Sequence, residues 1–68
     1  MSERLKLFLD YVARNLQDPK FKKITDYLND LGDNLDYMDA SDWEDYCESD
    51  DFFDDVEYTT ATIRRLMR

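Results

Sequence analysis

Apolar residues return along this chain at helical spacing. Leu5, Phe8, Leu9, Val12 and Leu16 form one stripe that Ala13 widens, while Arg4, Lys6, Asp10, Arg14 and Asn15 fill the opposite face. The pattern predicts a helix from Ser2 to about Gln17, with Ser2 as N-cap and Glu3 favourably placed in the first turn. Asp18-Pro19 is the first boundary, because the residue before a proline is pushed out of the helical region. Asp18 then caps a second helix with Pro19 in its first position, where the missing N–H costs nothing. Phe21, Ile24, Leu28 and Leu31 continue the period over residues 19–31, and Gly32, the only glycine, stands where a C-terminal glycine ends a helix. Residues 1–32 therefore read as a helical hairpin with a very short turn.

The pattern is less regular after Gly32. Leu35 to Ala40 is compatible with a helical turn or an extended connector. Ser41-Asp42-Trp43-Glu44 matches a capping box and predicts a short helix over residues 42–49, with Trp43, Tyr46 and Cys47 inward. Ser49-Asp50 offers another cap. Phe52, Phe53, Val56, Thr60, Ile63 and Met67 then keep helical spacing, with Arg64, Arg65 and Arg68 in the last turns, where cations suit the helix dipole. Val56, Tyr58, Thr60 and Thr62 also alternate, so a short strand competes there. No second clear strand offers to pair with it, and the helix is the reading kept. The expected fold is all-α: one domain over residues 1–68, a compact bundle of three or four short helices. It has a near-neutral N-terminal helical hairpin (1–32) and an acidic C-terminal half (33–68). Phe8, Phe21, Trp43, Phe52 and Phe53 are its expected aromatic core.

Charge changes the picture of the second half. Residues 1–32 hold five acids and six bases, whereas residues 33–68 hold twelve acids and three bases, giving a net charge of −8 for the chain. No Lys or Arg occurs between Lys23 and Arg64. The acidic stretch is not a plain solvated tail, because Leu35, Tyr37, Met38, Trp43, Tyr46, Phe52, Phe53 and Val56 are threaded through it. Such a field repels nucleic acid and anionic membrane and attracts basic proteins.

A chain of 68 residues buries only about 60% of its unfolded surface. A core of that size supplies roughly 3–5 kcal/mol. Cys47 is alone, so no internal disulfide forms, and the absence of His excludes the usual zinc sites. Good helix packing or self-association must compensate, which leaves a homodimer open. The apolar run after Met1 is broken by Glu3, Arg4, Lys6 and Asp10, unlike a signal-peptide core, and no stretch approaches a membrane span of about 20 apolar residues. The expected compartment is the cytoplasm, which keeps a lone thiol reduced.

The chemistry read from the residues is that of binding. There is no His, no Ser or Cys beside a base, no phosphate-cradling glycine loop and no cofactor box, so neither catalysis nor a cofactor is expected. Cys47 beside Glu48 is a poor thiolate and reads as a small buried hydrophobe. An EF-hand needs a glycine at its sixth position, and placing Gly32 there runs the loop from Tyr27 to Met38, neither of which supplies the carboxylate required. No metal site is expected.

On a helix, residues three and four apart are neighbours, about 5–6 Å between Cβ atoms. If the third and fourth helices run nearly continuously, Glu44, Glu48, Asp51 and Asp55 line one column and Asp50, Asp54 and Glu57 a second. That spacing approaches the roughly 6–7 Å between successive phosphates of a nucleic-acid strand. The candidate partner-binding residues are these seven carboxylates with Asp36, Asp39, Asp42 and Asp45, and with Tyr37 and Tyr46 as aromatic contacts able to meet an arginine. A charge run is more often a solvated face that keeps a protein soluble. Segregation of charge into one half, and its coincidence with aromatics, favour a surface that is used.

In this composition the chain resembles the small acidic inhibitors of phages and mobile elements, the anti-CRISPR and anti-restriction proteins that mimic DNA. The carboxylates from Asp36 to Glu57 carry the resemblance, about a third of the chain. It implies a non-enzymatic inhibitor, acting in the host cytoplasm, that occupies the DNA or RNA groove of a nuclease, a CRISPR effector or a similar basic protein, with no direct contact to nucleic acid. The alternative is a small structural or regulatory subunit. It would pack on a partner through the apolar hairpin, with Leu5, Phe8, Val12, Phe21, Ile24 and Leu28, and its acids would serve solubility alone.

Overall fold

The stripe of α1 (Glu3–Leu16) is the organising surface of the molecule: Leu5, Phe8, Leu9 and Val12 are all buried. The computed structural model describes residues 3–67. After α1 come a 3-10 helix (Pro19–Lys23), α2 (Thr25–Asp36), α3 (Ala40–Cys47) and α4 (Asp50–Leu66), and there is no strand among the described residues. The fold is the all-α bundle expected from the spacing. α1 packs against both α2 and α4, and α3 packs against α4. The body measures 36 × 22 × 15 Å.

α1 ends as the Asp18-Pro19 pair requires. Gln17 takes a left-handed conformation (φ 54°) and its N–H donates to the Ala13 carbonyl at 2.9 Å, the terminating bond of an αL cap. Asp18 is an N-cap, its carboxylate accepting from the Lys20 N–H at 2.9 Å, with Pro19 immediately after. The expected Ser2 cap lies outside the described residues.

The second predicted helix is divided in two. Its first five residues form the 3-10 helix, which puts Phe21 into the core, and Ile24 then leaves helical geometry (φ −86°, ψ 62°) before α2 starts. Gly32 does not end α2. It lies inside the helix, without a positive φ, where a Cβ would stand 3.0 Å from Leu5 Cδ2. Its lack of a side chain serves the close approach of α2 to α1. The apolar period simply runs on through Leu28 to Leu35, both buried.

α3 begins two residues before the expected start at 42. Asp39, and not Ser41, is the N-cap, accepting from the Asp42 N–H at 2.8 Å. Ser49 does stand at the N-cap of α4, yet its hydroxyl turns back and donates to the Tyr46 carbonyl at 2.7 Å. Its extended backbone (φ −91°, ψ 159°) bends the chain between α3 and α4.

The 56–63 stretch is helical despite its β-branched residues. The hydroxyls of Thr60 and Thr62 donate to the carbonyls of Val56 and Tyr58 four residues earlier, at 2.7 and 3.0 Å. That bond lets the buried Thr60 sit in an apolar layer with its hydroxyl satisfied. Phe52, Val56 and Ile63 complete the core from α4, each at most 3% exposed. Phe53 departs from expectation: it is 52% exposed, with its edge against Tyr11 and Phe52.

Candidate protein interface

The bend at Ser49 decides the geometry of the acidic residues. Because α3 and α4 are separate helices, Glu44, Glu48, Asp51 and Asp55 do not form one helical column; that expectation is corrected. Within α4 the shorter rows survive: Asp50 with Asp54 and Glu57, and Asp51 with Asp55, at helical neighbour spacing. At about 100° per residue these five carboxylates span close to half of the helix circumference, opposite Phe52, Val56 and Ile63. All five are exposed.

Asp42, Glu44 and Asp45 are exposed along α3, and Glu48 is exposed at its C-cap. Asp36 ends α2 and is exposed; Tyr37 follows as C-cap with 93% of its surface free. Asp39 is exposed but engaged as the α3 cap. The predicted residues thus lie on three helices and two junctions. Asp50 and Asp51 lie in the first turn of α4, where the dipole favours negative charge, whereas Asp36 and Glu48 lie at helix C-termini, where it does not.

Tyr46 is the exception in this set. It is half-buried, and its ring meets Phe52 edge-on at 5.4 Å between centroids and Trp43 at 6.0 Å. Its hydroxyl donates to Asp55 across the α3–α4 bend, at 2.5 Å. Burial, and then this hydrogen bond, push the Tyr46 hydroxyl well above its ordinary pKa. Asp55 is held in place as a result. The Cys47 thiol is likewise raised, first by burial and then by Glu48, with Arg4 opposing; a thiol so placed is a weak nucleophile. Among the described residues no group of three His, Cys, Asp or Glu side chains is arranged to hold a metal ion.

Two features escape sequence reasoning. Arg4, read as an outer-face residue, is half-buried and reaches the far end of α2, where Nη1 donates to the carbonyls of Leu35 at 2.9 Å and Met38 at 2.6 Å. No basic residue of α2 itself lies in its last turn, so Arg4 supplies that cation from α1. The second feature is a depression between α2 and α4, of about 260 Å³, floored by Phe8 and Leu35 and walled by Tyr27, Leu31, Met38 and Tyr58. Tyr46 and Asp55 also line it. Tyr58 is 68% exposed on its rim, a better candidate contact than the inward Tyr46.

Comparison with protein families, curated proteins and solved structures gives no match to this chain. Among the described residues, no helix is long and apolar enough to cross a membrane.

Proposed function

We propose that this protein is a non-enzymatic inhibitor that docks on the basic, nucleic-acid-binding surface of another protein and stands in for DNA or RNA phosphates. The observation that carries the reading is the exposure of carboxylates along α3 and α4, on helices whose opposite faces are anchored by Trp43, Tyr46, Phe52 and Val56. Charges on a helix keep their spacing, and a fixed row of anions meets a phosphate-binding groove without first being ordered. Its attraction weakens with salt, as that of a polyanion does. A nuclease or CRISPR effector is the expected class of target, and the cytoplasm of a phage-infected host the expected setting.

The alternative reading, a subunit that packs through its apolar hairpin, is less favoured: Leu5, Phe8, Val12, Phe21 and Leu28 are buried in the chain's own core, and of that set only Ile24 is half-buried.

The test is capture of nucleic-acid-binding proteins from bacterial lysate, followed by competition with duplex DNA and with RNA. Retained nucleases or effectors that are displaced by polyanion and by salt support the reading. The quadruple neutralisation D45N/E48Q/D51N/D54N, with helicity checked by circular dichroism, should abolish capture. Undiminished capture by this variant, or a partner indifferent to polyanion, overturns it.

A further inference from the structure

α1 packs against both α2 and α4, and those two helices scarcely touch one another. The gap they leave is the depression over Phe8 and Leu35. It does not stop at Tyr27: that ring is shared with a second depression of about 370 Å³, which Ile24 and Leu66 line at the other end of α2. Leu66 is 51% exposed and Tyr58 is 68% exposed, so large apolar groups stand free on the α4 wall at both ends. Carboxylates accompany the apolar lining: Asp55 in the first depression and Asp26 in the second, with Lys23 as the cation at the far end.

We propose that this α2–α4 groove receives a basic amphipathic helix of the target protein, with two apolar side chains entering the two depressions and an arginine meeting Asp55. The inference rests on the proposed function, which supplies the basic partner, and adds to it where that partner is gripped. Three physical points select this occupant. The depressions are walled by α2 on one side and α4 on the other, the setting that takes an amphipathic helix by its apolar face. The two depressions share Tyr27 and lie towards opposite ends of α2, Ile24 lining one and Met38 the other, so an occupant that fills both must run along the helix. The rim carboxylate is preorganised: the Tyr46 hydroxyl fixes Asp55, so an incoming guanidinium meets an acceptor already ordered beside aromatic surface.

The probe is a labelled synthetic helix of about four turns, carrying leucines along one face and arginines on its flanks, compared with a scrambled peptide of the same composition and charge. Fluorescence anisotropy with the full chain should show the patterned peptide binding at least ten-fold more tightly. Tyr58→Ser, at an exposed site that does not endanger the fold, should reduce patterned-peptide affinity about ten-fold and leave the scrambled peptide unaffected. Asp55→Asn, which keeps an oxygen for Tyr46, should weaken the arginine peptide and leave its norleucine-flanked counterpart unchanged. Amide shifts on binding should concentrate in α2 and α4. Equal binding of the two peptides, or indifference to Tyr58→Ser, overturns the groove. So does finding by sedimentation that a second copy of the chain fills it. None of these outcomes touches the capture assay with the neutralised protein, on which the proposed function stands or falls separately.

Discussion

The guanidinium carbon of Arg4 lies 5.1 Å from the centroid of the Trp43 ring. The same side chain holds two carbonyls at the end of α2, so one residue joins α1, α2 and α3. Hydrogen bonds from a charged donor contribute about 1.5–3 kcal/mol where partly buried. Cation–π contact adds about 0.5–1 kcal/mol. Arg4→Ala should therefore cost about 2 kcal/mol, which for a domain of this size lowers Tm by about 8–16 °C. Arg4→Lys should recover less than half, because a lysine does not reach both carbonyls with a planar fork while stacking on the indole. Thermal unfolding followed by circular dichroism measures both; full rescue by lysine would count against the stapling role.

Phe52 is the hub of the aromatic core. Phe8, Tyr11, Trp43, Tyr46 and Phe53 all meet its ring, at centroid distances from 5.3 to 6.5 Å. Phe→Ala at a buried site costs about 3–5 kcal/mol, comparable with the whole stability expected of so small a domain. Phe52→Ala should unfold the chain at room temperature, visible as loss of helical ellipticity. Phe53→Ala, at a half-exposed neighbour, should remain folded and lose no more than about 1 kcal/mol.

Gly32 and Leu5 are coupled by their contact. Alanine in a helix interior gains about 0.5–1 kcal/mol over glycine. Here its Cβ would press on Leu5 Cδ2 at 3.0 Å, in a packed layer with little room to give. Gly32→Ala alone should be neutral or destabilising by up to about 1 kcal/mol. With Leu5→Val in the background, which trims that branch, the same change should become stabilising. A denaturant double-mutant cycle reads the coupling, and additive effects would mean the contact is not tight.

The Tyr46–Asp55 bond predicts an alkaline limb. The hydroxyl's pKa in the folded protein lies above its unfolded value of 10.0, so the contribution to stability is complete below about pH 10. It is lost as pH rises towards the folded value, because the unfolded chain ionises first. Tyr46→Phe should lower stability by about 1 kcal/mol at pH 8, and the gap between the two proteins should narrow above pH 10. Tyrosinate absorbance followed through an alkaline titration should show a late-ionising hydroxyl in the wild type that is missing from Tyr46→Phe.

Local periodicity made most of the fold legible. The stripe from Leu5 to Leu16 and the run from Phe52 to Ile63 each bury one face of one helix, a property of neighbours in sequence. Asp18-Pro19 acted through its own backbone and was equally readable. Gly32 misled because a local stop signal competed with a period that continued to Leu35, and contact with α1 decided the matter. Ser41 misled for a related reason: Asp39 offers the same cap two residues earlier, and the connector from α2 selects it. The carboxylates were readable as exposed residues but not as a pattern, since Ser49 breaks the row. Arg4 and the α2–α4 groove were out of reach, because both depend on residues distant in sequence that packing brings together: Arg4 and Leu35 are 31 positions apart, and the groove is closed by residues of α2 and α4.

The connector helix has a mechanical consequence. α3 contributes no fully buried side chain; Trp43, Tyr46 and Cys47 hold it by half-buried contacts alone. Segments so weakly anchored open before the core does. Its amides should surrender their protons to heavy water sooner than those of α4, even though the two helices carry neighbouring parts of one anionic surface. A ligand resting on both helices would therefore show most in the slowed exchange of α3.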